Sequence, residues 1–303
     1  MRSRRRIFVW KGLATALLLA SIPSCQPARE STGTVDSKDA ALTVEDLASA
    51  RTRFVTKIRV RGPAPQDYRS HMPPPGVKNV EYSSADLKLK GWLSEDAGDD
   101  KKQPAVIFLH GGFAFDLADW RDAEPFAKAG FVLFMPMLRG ENNNPGIFES
   151  FLGEVDDAIA AGRFVSSLPN VDSRNVFVAG HSVGGVLTCL VAMLPSPYKA
   201  AAALDGYVDM ASWVAHSPAT YTPFERNDPD EVRVRSPLAF ATTIRSPLRL
   251  YVGEAREANA WLAAKAKQAG KDCELVVVPG DHQAMVGPAV QQVIVWFRQQ
   301  SSQ

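Results

Sequence analysis

Asn175-Val176-Phe177-Val178-Ala179-Gly180-His181-Ser182-Val183-Gly184-Gly185 is the stretch that decides the fold. Its first five residues form a β-branched and aromatic run, which reads as a buried strand. The run from Val186 to Leu194 reads as a helix. Between them Ser182 sits on a turn with glycine two positions to either side. Side chains at positions 180 and 184 of so sharp a turn would collide with neighbouring backbone, so glycine is required there. The pentapeptide alone is short and weakly informative. Strand before and helix after are what make the serine a candidate nucleophile raised on a strand-to-helix elbow.

Outward from the elbow, strands and helices alternate. Val80 to Ser83 and Leu87 to Leu93 read as an antiparallel hairpin, followed by apolar strands at Ala105 to Leu109 and Phe131 to Leu138. A helix through Trp120 and Phe126 separates that second pair and stops at Gly130. Phe148 to Leu168 shows apolar positions at helical spacing. Strands at Ala200–Leu204, Leu248–Val252 and Glu274–Val278 follow, with helices near 258–269 and 284–298. Continuous apolar strands alternating with helices predict an α/β fold, with a mostly parallel central sheet flanked by helices on both faces.

The N-terminus reads differently. Arg2, Arg4, Arg5 and Arg6 precede an apolar stretch from Gly12 to Ile22, too short to span a bilayer. It ends in Ile22-Pro23-Ser24-Cys25, similar to a bacterial lipobox. Residues 1–25 are therefore expected to be a lipoprotein-type signal peptide, with Cys25 as the lipidation site and ordinary cleavage near Ser24 as the alternative. A twin-arginine resemblance at Ser3 to Phe8 is weak. Residues 26–77 read as a flexible tether and proline-punctuated approach, and 78–303 as the folded domain. The expected location is the cell envelope, with the membrane met only through the anchor.

The leader holds five of the 34 basic residues and no acidic one, so the remainder is net −4, which speaks against a nucleic-acid partner. Cys189 and Cys273 read as two buried free thiols. No Cys or His spacing suggests a metal, and no cofactor is expected.

A serine needs a base. Of five histidines, His71 lies in the proline-rich approach, His216 in an irregular excursion, His181 inside the elbow and His110 in a glycine turn. His282, in Pro279-Gly280-Asp281-His282 just beyond the last strand, remains. The acid should follow the strand Leu248–Val252. Glu257, where that loop turns into a helix, is preferred to Glu254. Asp205, ending the preceding strand, reads more plainly as a turn residue before Gly206. The N–H of Val183 and that of Gly112 or Phe113, in His110-Gly111-Gly112-Phe113, are the candidate oxyanion donors.

With His110-Gly111-Gly112, Leu138-Arg139-Gly140, the elbow and Gly280-Asp281-His282 together, residues 78 to 300 resemble the catalytic domain of the prolyl oligopeptidase family and its dienelactone-hydrolase-like relatives, within the α/β-hydrolase superfamily. There are two departures. The chain is too short for the β-propeller of prolyl oligopeptidases, and the family's acid-loop aspartate is replaced by glutamate with one extra residue. The resemblance implies a serine hydrolase acting on an ester or amide through an acyl-enzyme. A carboxylesterase-like activity on a small ester is expected; a prolyl-oligopeptidase-type peptidase on short peptides and a non-catalytic binding protein are the alternatives. The excursion Gly206–Ser236 reads as a cap or as an inert surface segment. Asn142 to Asn144 are either substrate-facing or simple turn residues, and Asp156 and Asp157 are placed on a solvated helix face.

Overall fold

The computed structural model describes residues 45–95, 101–253 and 256–302. The leader, Cys25 and Glu254 lie outside the described residues.

Among the described residues eight strands form one sheet: β1 (Val77–Ser84), β2 (Leu87–Ser94), β3 (Gln103–Leu109), β4 (Val132–Pro136), β5 (Val171–His181), β6 (Ala201–Leu204), β7 (Leu248–Val252) and β8 (Cys273–Val277). Their spatial order is β1-β2-β4-β3-β5-β6-β7-β8. β1 and β2 pair antiparallel, β2 meets β4 antiparallel, and every pairing from β4 to β8 is parallel. Parallel strands buried on both faces can be continuously apolar, which is why β4 and β6 carry no polar residue and lie wholly buried.

Helices α2 (Leu117–Lys128) and α8 (Val286–Ser301) cover one face, with Phe126, Phe131, Phe177 and Phe297 in one cluster. Helices α3 (Gly153–Ser166) and α4 (Val183–Ala192) cover the other, against Ile107, Val178 and Leu250. The α7 helix (Glu257–Gln268) leads into β8. Asp116 opens α2 with a reciprocal cap, its side chain accepting from the backbone while Asp119 reaches back to it.

Two expectations need correction. Within the stretch expected to be a flexible tether and approach, the described residues include a helix: α1 (Leu47–Arg53) inserts Leu47 and Ala50 into the core, because those residues share one helical face. Asp157 is fully buried rather than solvated. It accepts from Arg139 Nε and Nη2 at 2.9 and 2.7 Å and from the Arg139 N–H at 2.9 Å. Asp156, one residue earlier, is exposed and pairs with Arg51 at 2.8 Å.

The segment after β6 contains α5 (Met210–His216) and α6 (Pro229–Arg233). It is organised by a buried ion pair: Arg235 and Glu231, both inaccessible to solvent, meet at 2.5 Å. Arg235 also donates to Thr56 and to the carbonyls of Glu149 and Ser150, and stacks on Phe224 at 4.1 Å. One guanidinium thus ties the excursion to the approach segment and to the loop before α3.

Candidate active site

At the C-terminal end of β5 the chain turns through Ser182 with φ 56° and ψ −113°, a region L-residues seldom occupy. Such a conformation persists only where surrounding packing enforces it. A Cβ on Gly180 would strike the carbonyl of Gly184, and one on Gly184 would strike that of Leu109. The two glycines flanking the serine are therefore required by contact.

Ser182 Oγ lies 3.0 Å from His282 Nε2. His282 arrives on the loop after β8. His181, buried beneath, points back into the fold as expected from the elbow, and its Nε2 lies 2.8 Å from the His282 carbonyl oxygen, which it fixes by donating a hydrogen bond. Burial, reinforced by the neighbouring His282, pushes the His181 pKa down to about 4, so the ring is neutral near pH 7.

The carboxylate that meets His282 is Asp205, 2.5 Å from Nδ1. Glu257 is exposed in the first turn of α7, and no hydrogen bond joins it to His282. The preference for Glu257 is thus corrected. The register explains the geometry: β6 pairs directly with β5, His181 opposite Leu204, so the residue after Leu204 emerges beside the elbow. Asp205 has φ 49°, and a Cβ on Gly206 would come 2.7 Å from the Gly185 backbone, so the strand must end in a residue tolerant of that turn followed by glycine. The Asp-Gly pair was the signal; it doubles as an ordinary turn.

The loop after β7 contributes a cation. Arg256 Nε and Nη2 reach the two Asp205 oxygens at 2.5 and 2.7 Å. Its guanidinium also lies 4.7 Å over the Tyr207 ring. Burial raises the Asp205 pKa, but hydrogen bonds from His282 and Arg256 outweigh it and hold the carboxyl down at about 2. The acid is ionised throughout the neutral range.

The turn His110-Gly111-Gly112-Phe113 follows β3 beside the elbow, tied to it by the Gly184 N–H donating to the His110 carbonyl at 3.1 Å. The Gly111 N–H donates to Asp119 at 3.3 Å and that of Phe113 to Gln66 Oε1 at 2.8 Å. Among the described residues the N–H groups of Gly112 and Val183 have no acceptor. Two open donors beside a nucleophile are what a developing oxyanion needs. Beneath the turn His110 Nε2 lies 2.9 Å from Glu141, both buried. Burial opposes charging that ring, yet the Glu141 carboxylate carries its pKa up to about 9.

Phe113 opens an aromatic group: ring centroids of Phe148, Tyr221, Phe151 and Trp213 lie 5.0 to 6.3 Å away. Trp213 and Tyr221 come from the excursion, which therefore walls the region beside the turn. Asn142 and Asn144 turn inward instead, bonding the backbone of Phe115 and of Met137 and Lys90. No group of His, Cys, Asp and Glu able to hold a metal occurs among the described residues. Cys189 and Cys273 are free thiols.

The sequence profile of the prolyl oligopeptidase family matches residues 118–300. An uncharacterized peptidase of Bacillus subtilis, YtmA, is 29% identical over 191 residues, covering 57% of this chain and 70% of that protein. An esterase of Pyrococcus furiosus superposes with a TM-score of 0.62 at 21% identity, over 80% of this chain and 98% of its own. The uncomplexed acylaminoacyl peptidase of Pyrococcus horikoshii gives 0.59 at 19% identity over 74% of this chain. This chain spans only 41% of that peptidase. Fold and family agree: the chain belongs to the prolyl oligopeptidase family and is a serine hydrolase of α/β-hydrolase fold.

Proposed function

We propose that the protein is a carboxylesterase-like enzyme for small esters with an apolar acyl group, working through an acyl-enzyme. The observation that carries this is the Ser182–His282–Asp205 relay, 3.0 and 2.5 Å at its two links, beside two open N–H donors. His282 Nε2 takes the Ser182 proton as Oγ attacks the carbonyl carbon. Asp205 holds the Nδ1–H tautomer and stabilises the imidazolium. The carbonyl π electrons move onto oxygen, which the Gly112 and Val183 N–H groups receive. Collapse expels the alkoxide, which takes the proton from His282; water then repeats the sequence and frees the acid.

The ester preference is supported by the aromatic wall and by the esterase that superposes over nearly its whole length. Amide cleavage further requires protonation of a closely aligned leaving amine. The test compares kcat/KM for a short-chain nitrophenyl ester and a Gly-Pro anilide. Faster ester turnover is expected; equal or better anilide turnover makes the protein a peptidase. Failure of a fluorophosphonate to label Ser182 would leave only a binding role on a hydrolase scaffold. We further propose, on the sequence pattern, that Cys25 carries a lipid anchor. Cys25→Ser should then appear in the soluble fraction or retain its leader, and unchanged membrane association and processing would refute the anchor.

A further inference from the structure

The approach segment crosses the site before the hairpin begins. Its Arg59 and Val60 N–H groups donate to the Pro223 carbonyl at 2.6 and 3.0 Å. Phe148 then donates to the Gly62 carbonyl at 3.0 Å, and Ala64 to the Gly140 carbonyl at 2.9 Å. Backbone bonds two and four residues earlier therefore fix where Gln66 begins. Its side chain reaches the oxyanion turn and accepts the Phe113 N–H at 2.8 Å. The carboxamide packs against Gly112: a Cβ there would sit 2.5 Å from Gln66 Oε1 and 3.2 Å from Nε2. Gly112, with φ 65°, is the residue whose own N–H is open. Gln66 Nε2 has no acceptor among the described residues. Gln66 also lines a cavity of about 460 Å³ between the approach segment and the loop 140–144.

We infer that Gln66 belongs to the oxyanion site: Oε1 fixes the turn through Phe113, and Nε2 donates to the substrate's carbonyl oxygen as it gains charge. The inference rests on the serine hydrolase reading and adds a donor from outside the segment matched by the family profile. A carboxamide suits both tasks, because holding its oxygen on one N–H aims its NH₂ group, and a neutral donor offers the oxyanion dipoles without a competing carboxylate. With the Phe113 N–H occupied, the acyl oxygen has one register, between Gly112, Val183 and Gln66.

The experiment compares Gln66→Ala, Gln66→Glu and wild type in full-length protein with a nitrophenyl ester and with fluorophosphonate labelling of Ser182. Gln66→Ala should lower kcat about a hundredfold to a thousandfold, in line with loss of one oxyanion donor, while KM changes less than threefold. Gln66→Glu keeps an acceptor for Phe113 but sets negative charge beside the developing oxyanion, so its kcat should fall below that of Gln66→Ala. Wild-type kcat in Gln66→Glu would overturn the inference, because a pin alone would then suffice; wild-type kcat in both variants would overturn it equally. If wild-type protein is itself unlabelled, the hydrolase reading fails instead, which keeps the two failures apart.

Discussion

At the scale of single residues the site is a set of short contacts around one strained serine. Ser182→Ala should leave the fold intact and lower kcat on the order of 10⁶-fold, as loss of a triad nucleophile does; retention of a tenth of the rate would remove Ser182 from the role. The acid makes a sharper test, because the sequence offers three carboxylates, Glu257, Glu254 and Asp205. Asp205→Asn keeps the side-chain shape but can no longer select the imidazole tautomer, so kcat should fall roughly 10⁴-fold. Glu257→Gln should stay within about twofold, as expected of an exposed group with no hydrogen bond to His282. The reverse pattern would return the acid to the loop after β7. Ser182 and His282 were legible in the sequence because glycine spacing and chain order carry them. Asp205 is masked in the sequence because Asp-Gly is also an ordinary turn pair. Gln66 and Arg256 left no local pattern, since each acts only through residues distant in sequence.

At the scale of elements, alternation of apolar strands and helices placed nearly every strand within a few residues. What it missed is what packing decides. Asp157 sits on a helix face buried on almost all sides, and a single carboxylate there is legible only once Arg139 is seen against it. The sequence leaves the excursion after β6 as either cap or inert surface; Arg235, at its C-terminal end, shows how it is held. Glu231→Gln would leave that guanidinium buried without its counter-charge. Breaking one side of a buried pair typically costs about 3 kcal/mol or more. A denaturant titration should show a loss of that order. A loss under about 1 kcal/mol would mean that the backbone carbonyls around Arg235 suffice to hold it.

For the whole molecule, buried titratable groups set a pH profile of stability whose sign follows from their shifts. His181 is held neutral, down at about 4 from 6.5, so it favours the fold increasingly as pH rises from 4 to 6.5. Glu154, buried while accepting the N–H groups of Glu149, Ser150 and Leu152, is pushed up to about 7 from 4.5 and acts oppositely over 4.5 to 7. These two largely offset one another. His110 is left as the unopposed group above neutrality. Its folded-state pKa of about 9 exceeds the ordinary 6.5, so its stabilisation is complete below pH 6.5 and is lost as pH rises through 9. A shift of that size corresponds to about 3 kcal/mol. The thiols of Cys189 and Cys273, both raised by burial, begin to weigh on stability only near and above pH 9, where they would ionise once unfolded. Between pH 7 and 9 the unfolding free energy should therefore fall by a few kcal/mol. Glu141→Gln removes the charge that holds the proton on His110 while a carboxamide oxygen can still accept from Leu138. That variant should be less stable at pH 6.5 and show a much flatter decline to pH 9. An equally steep decline in the variant would assign the alkaline limb to other groups and sever the oxyanion turn's charge from the stability of the fold.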